Sequence, residues 1–101
     1  MINRNGYRFC DEGEDVGLYT YAKYGGEILK QPGSLAWQIF DQKTIHLLEP
    51  RYSTSEPIKA DTLEELEELL EIDDKPQAVK TLNEYNENAC DAEHFDPTKK
   101  D

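Results

Sequence analysis

Cys10, His46, Cys90 and His94 are the only cysteine and histidine residues in the chain. Four is the number a structural zinc takes, yet such sites are built from close ligand pairs of the C-x2-C kind, and none is present. Only Cys90 and His94 stand one helical turn apart. The spacing argues against a metal centre, and without a secretory signal Cys10 and Cys90 are expected as reduced thiols beside ordinary histidines. The run Asp11-Glu12-Gly13-Glu14-Asp15 is dense in carboxylates but lacks the Asp-x-Asp-x-Asp-Gly order and distal Glu of a calcium loop. There is no nucleophile elbow and no Gly-rich phosphate loop, so a non-enzymatic protein without cofactor is expected.

The densest chemistry lies in residues 61–74, DTLEELEELLEIDD, with eight carboxylates and no Lys, Arg or His. These are Asp61, Glu64, Glu65, Glu67, Glu68, Glu71, Asp73 and Asp74. Glu is a good helix former, and a wet surface alone accounts for many such runs. Here, however, like charges stand four apart at 61/65, 64/68 and 67/71, each pair costing about 0.2–0.5 kcal/mol. Glu71, Asp73 and Asp74 also fall where a helix dipole disfavours anions. If the whole run were helical it would carry one charge per ~2.6 Å of axis, between the ~3.4 Å of a nucleic-acid strand and the ~1.7 Å of a duplex. A groove that reads phosphates could accept that spacing, its arginines and lysines pairing with the carboxylates. Tyr19 and Tyr21 offer aromatic contact of the kind that anchors protein interfaces.

The elements that would position these groups follow from periodicity. The 101-residue chain is one-domain sized, with 37% hydrophobic residues and ten aromatic rings, enough for a thin core. A single domain over 1–90 and a loose tail over 91–101 are expected. The opening residues are polar and no long apolar run occurs, which points to a soluble, intracellular (cytoplasmic) protein. Residues 7–10 read as a strand and 11–15 as a turn. Residues 17–24 alternate in strand fashion, Gly25-Gly26 suits a type I′ turn, and 27–31 would return as the second strand of a hairpin. Gln31-Pro32-Gly33-Ser34 is a type II turn signal. A second hairpin is expected across Asp41–Lys43; the rival is one helix capped by Ser34 and running to Leu48.

Beyond the loop at 49–57 the period changes. Leu63, Leu66 and Leu70 recur on one helical face, and Thr62 with Glu65 forms a capping box, which predicts a helix over 62–72. Pro76 suits the first turn of a second helix burying Ala78, Val79, Leu82, Tyr85 and Ala89. Strands first and helices second predict an α+β fold: an antiparallel sheet of four or five strands from the N-terminal half packed against two C-terminal helices.

Formal charge is −11, and it is uneven: seven acids meet five bases in residues 1–50, fifteen meet six in 51–101. Such a field repels nucleic acid and anionic lipid and attracts basic protein surfaces. In size and charge the chain resembles the small acidic inhibitors that viruses and mobile elements direct at nucleic-acid-handling enzymes, nucleic-acid mimics and anti-CRISPR proteins among them. That resemblance implies a decoy binding a basic, nucleic-acid-binding surface or nuclease through the carboxylates above, with Tyr19 and Tyr21 in support. The alternatives are an immunity or antitoxin protein with one cognate toxin, a small enzyme using His46 or His94, and a structural subunit.

Overall fold

The computed structural model describes residues 1–15 and 17–89, so the expected tail at 91–101 lies outside the described residues. Five regular elements follow in order: β1 (Ile2–Asn3), α1 (Gly17–Leu29), β2 (Ala36–Trp37), α2 (Leu63–Leu69) and α3 (Lys75–Asn88). The four- or five-stranded sheet is not formed. Among the described residues the only sheet is the antiparallel pair β1–β2, with Ile2 opposite Trp37 and Asn3 opposite Ala36.

The N-terminal residues form the hub. Asn3 is buried; its side-chain oxygen accepts from the backbone N–H groups of Asn5 and Tyr7, and its own N–H reaches the Tyr7 carbonyl at 2.9 Å. The tight turn so closed brings Arg8 back beside Ile2 as an isolated antiparallel bridge, all that remains of the strand expected over 7–10. Gly6, at φ +81°, lies against the start of α3, where an added Cβ would stand 2.6 Å from the Ala78 nitrogen. Ile2 then meets Leu70, Ile72 and Ala78 in the core, with Trp37, Ile39, Leu66 and Leu82 packed around them.

The first expected hairpin is replaced by α1, which runs straight through Gly25 and Gly26. Alternation in residues 17–24 has a helical counterpart: Thr20, Tyr24, Glu27 and Ile28 share one side of α1, and Thr20 is 4% exposed. Two glycines each weaken a helix by about 1 kcal/mol. Side chains offset that cost, because the Tyr24 hydroxyl donates to the Asp11 carbonyl at 2.8 Å and Lys23 pairs with Glu14. The type II turn forms as expected, with Gly33 at φ 70°, ψ 9° and a 2.8 Å hydrogen bond from Ser34 N to the Gln31 carbonyl.

The second expected hairpin is also absent, as is the rival helix over 34–48. Asp41 captures its own downstream backbone: its Oδ1 accepts from the Thr44 N–H at 2.9 Å and the Thr44 hydroxyl at 2.7 Å. That local bonding competes with a ladder and leads into a short 3-10 turn at Ile45–Leu47, followed by another at Pro50–Ser53.

Both C-terminal helices are present with their caps. Thr62 Oγ1 accepts from Glu65 N at 3.1 Å, and the Glu65 carboxylate reaches back to Asp61 N at 3.2 Å. The helix stops at Leu69, short of residue 72, because Leu70 turns extended (φ −90°, ψ 147°) so that Leu70 and Ile72 can both enter the core. Asp73 N then bonds the Arg4 carbonyl at 2.8 Å, and Asp74 caps α3 through Gln77 N at 3.0 Å. Of the face expected to be buried on α3, Ala78 is fully enclosed and Leu82 packs on the core, whereas Tyr85 is 48% exposed.

Two outcomes are expected. Gly6→Ala combines a left-handed φ with overlap on α3 and should cost about 2–4 kcal/mol, read as a lowered urea midpoint. The hydrogen bonds from Thr44 hold the Asp41 carboxyl below the usual carboxylate value. The bonded turn is therefore stabilised above the free Asp pKa of about 3.9 and loosens as pH falls through the lower folded value. Thr44→Val should raise the Asp41 midpoint in an NMR titration.

Candidate binding surface

The acidic run is divided by the way the chain folds. Asp61, Glu64 and Glu71 are exposed, and among the described residues no cation stands within pairing distance of them. Glu65 is exposed but holds the α2 cap, and Asp74 holds that of α3. Lys75 Nζ reaches Glu68 at 2.9 Å, and Arg4 Nε reaches Asp73 at 3.2 Å. Glu67 turns inward, with one carboxylate oxygen out of solvent and no hydrogen-bond partner among the described residues. Because α2 ends at Leu69, the carboxylates do not follow one helix axis, and the even spacing of a fully helical run is lost.

Asp11, Glu12 and Glu14 are paired with nearby cations. Arg8 Nη2 stands 3.0 Å from Glu12 and 3.8 Å from Asp11, Glu12 also pairs with the Met1 amine, and Glu14 pairs with Lys23. The Arg8 guanidinium lies 5.1 Å from the centre of the Tyr85 ring. On α3, Lys80 stands 3.8 Å from Glu84. Among the described residues, exposed acids with neither a cation nor a cap or turn to hold gather at Asp61, Glu64 and Glu71, with Glu87 a further one on α3.

Tyr19 and Tyr21 are exposed, 78% and 70%, on α1 rather than on a sheet face. They are joined there by Leu18 and Leu29, an apolar group that a strand reading of 17–24 hides and a helical period reveals. A cleft of about 570 Å³ opens between β1, the 38–42 segment and the two C-terminal helices. Ile2, Ile39, Phe40, Leu66 and Leu82 line it, with Arg8 and Glu12 already paired to each other at its edge. A volume in the usual ligand range and an apolar floor suit an apolar side chain.

His46 sits in the exposed Ile45–Leu47 turn and Cys10 is half-buried, while Cys90 and His94 lie outside the described residues. Among the described residues no three His, Cys, Asp or Glu side chains gather as a metal-binding group. Likewise, no described helix is long and apolar enough to cross a membrane. Comparison of the chain with family models, curated proteins and solved structures finds no match.

Burial pushes the Cys10 thiol up from its ordinary value, only partly countered by the N-terminal amine and Arg8. Less thiolate at neutral pH means slower reaction. Iodoacetamide should label Cys10 more slowly than an unstructured cysteine peptide at pH 7.5, as read by mass spectrometry, and the gap should narrow as pH rises.

Proposed function

We propose that the chain is a non-enzymatic binding protein whose acidic surface docks on a basic patch of a partner protein, in the manner of an inhibitor occupying a nucleic-acid-binding groove. The observation that carries this reading is the exposure of Asp61, Glu64 and Glu71, three acids of one short stretch, with no cation in pairing distance among the described residues, whereas Glu12, Glu14 and Asp74 pair or cap. Neutral surfaces need no such arrangement. Glu65, Glu68, Asp73 and Asp74 stay exposed and add to the field, although Arg4 and Lys75 offset part of it. Glu67 is set aside as a contact because it points inward.

Arginine in the partner would gain most, through paired hydrogen bonds to one carboxylate. Long-range attraction should speed association, and salt should weaken it as the Debye length shrinks from ~10 Å at 0.1 M to ~3 Å at 1 M. The partner sought is a DNA- or RNA-binding protein that the chain displaces from its nucleic acid.

The test is charge reversal at the three free acids: Asp61→Lys, Glu64→Lys and Glu71→Lys together. With rim charge pairs worth about 0.2–1 kcal/mol each, the triple variant should lose roughly 3- to 150-fold in affinity, while circular dichroism and melting stay near wild type. The readout is competition with a labelled duplex for a protein captured at low salt. If the variant competes as well as wild type, the acidic surface is not the working one.

A further inference from the structure

The helix α1 faces the wrong way for a solitary molecule. Its inward side carries Thr20, Tyr24, Glu27 and Ile28, only the last of them aliphatic, and the Thr20 hydroxyl is buried without a hydrogen-bond partner among the described residues. Its outward side carries Leu18 at 84% exposure, Leu29 at 71%, and Tyr21 at 70%. Ala22 and Gly25 lie exposed between them. A surface helix ordinarily shows the reverse, apolar stripe in and polar face out. Contiguous exposed apolar surface of this kind marks a contact with another molecule.

We propose that this face pairs with the same face of a second copy of the chain, as two antiparallel α1 helices. Leu18, Ala22, Gly25 and Leu29 recur at spacings of four, three and four, the period of a helix-pairing seam. The seam reads large, small, small, large, so it is complementary to itself when reversed. A two-fold axis near residues 23 and 24 sets Leu18 against Leu29 of the second copy and Ala22 against its Gly25, the isologous arrangement of a symmetric dimer. Small residues at the crossing let the two backbones approach closely, and Tyr19 and Tyr21 flank the seam on its two sides. At Gly25 a Cβ would meet nothing within 4 Å, so the single molecule gives no packing reason for glycine in mid-helix.

Charge selects the same face. Two chains of −11 repel each other over most of their surface, but α1 with Lys30 carries two lysines and one glutamate. Both lysines are already paired, Lys23 with Glu14 and Lys30 with Glu27 at 2.7 Å, so contact here need not strand an isolated charge. The seam is about 17 Å long and covers well under the ~1,200 Å² of a stable interface. The dimer is accordingly weak, with a dissociation constant on the order of 0.1–1 mM.

Salt separates this contact from the partner docking proposed above. Screening removes the repulsion between like-charged copies, so dimerisation should strengthen from about 0.05 M to about 0.5 M NaCl, the opposite of binding to a basic protein. Sedimentation equilibrium of the full chain, run up to about 2 mM, should show a dimer that grows with concentration and with salt. Leu18→Ser with Leu29→Ser should cut association at least tenfold and leave the circular dichroism spectrum unchanged. Gly25→Leu should also give a monomer, yet with a raised Tm, because the single helix gains propensity there. A chain monomeric at the highest concentration and salt overturns the proposal, as does a dimer that survives both sets of substitutions. If the wild type stays monomeric and the serine variant instead loses its basic partner, the face belongs to that partner and pairing with a second copy is wrong.

Discussion

The fold depends on the seating of the N-terminal turn against the junction of the two C-terminal helices. Ile2 enters the core beside Leu70, Ile72 and Ala78, and Asp73 N closes the contact on the Arg4 carbonyl. Burying side chains of this size stabilises by about 1.5–3 kcal/mol each. Only four apolar residues are buried, so no other cluster in the described chain could compensate for losing these. Gly6 makes the approach possible, because any side chain there would strike the backbone of α3. A chain with its bulk apolar groups so sparsely buried has to place them with care.

That seating dictates how the acids are used. Drawing both Leu70 and Ile72 inward ends α2 at Leu69, and the residues that follow become connections: Asp73 to Arg4, Asp74 to the first turn of α3. Asp11, Glu12 and Glu14 serve similarly, gathered around Arg8, Lys23 and the Met1 amine. Within 61–74, the acids left exposed with neither a cation nor a helix cap to hold are Asp61, Glu64 and Glu71, fewer than the eight carboxylates of the run. The same core leaves α1 at the margin, held by Tyr24, Lys23 and the Pro32–Ser34 turn, with its apolar side outward. The acidic stretch and the uncovered apolar side of α1 are thus separate exposed surfaces of opposite character.

Local chemistry was legible wherever a residue acts on its immediate neighbours. Thr62 and Glu65 start α2, Pro76 sits in the first turn of α3, and Pro32-Gly33 makes its type II turn. Each depends on bonds within four residues, so sequence spacing is enough. The total charge and its bias toward the second half are likewise properties of the residues alone. The expected sheet failed because alternation over a short aromatic run fits two periods. Residues 17–24 alternate as a strand would, yet they also place Thr20 and Tyr24 on one helical side. Strands require partners distant in the chain, and Asp41 bonding to Thr44 removed the second hairpin that would have supplied them.

The sequence by itself determined the charge, the caps of α2 and α3, and the turn at Gly33, because these are set by residue type and short spacing. Tertiary structure alone decided that 17–29 is helical, that α2 stops before its leucine pattern ends, and that Asp73 finds Arg4. Those outcomes turn on contacts between remote segments, such as Tyr24 with Asp11 and Asp73 with Arg4, whose energies come into being only when the core has closed.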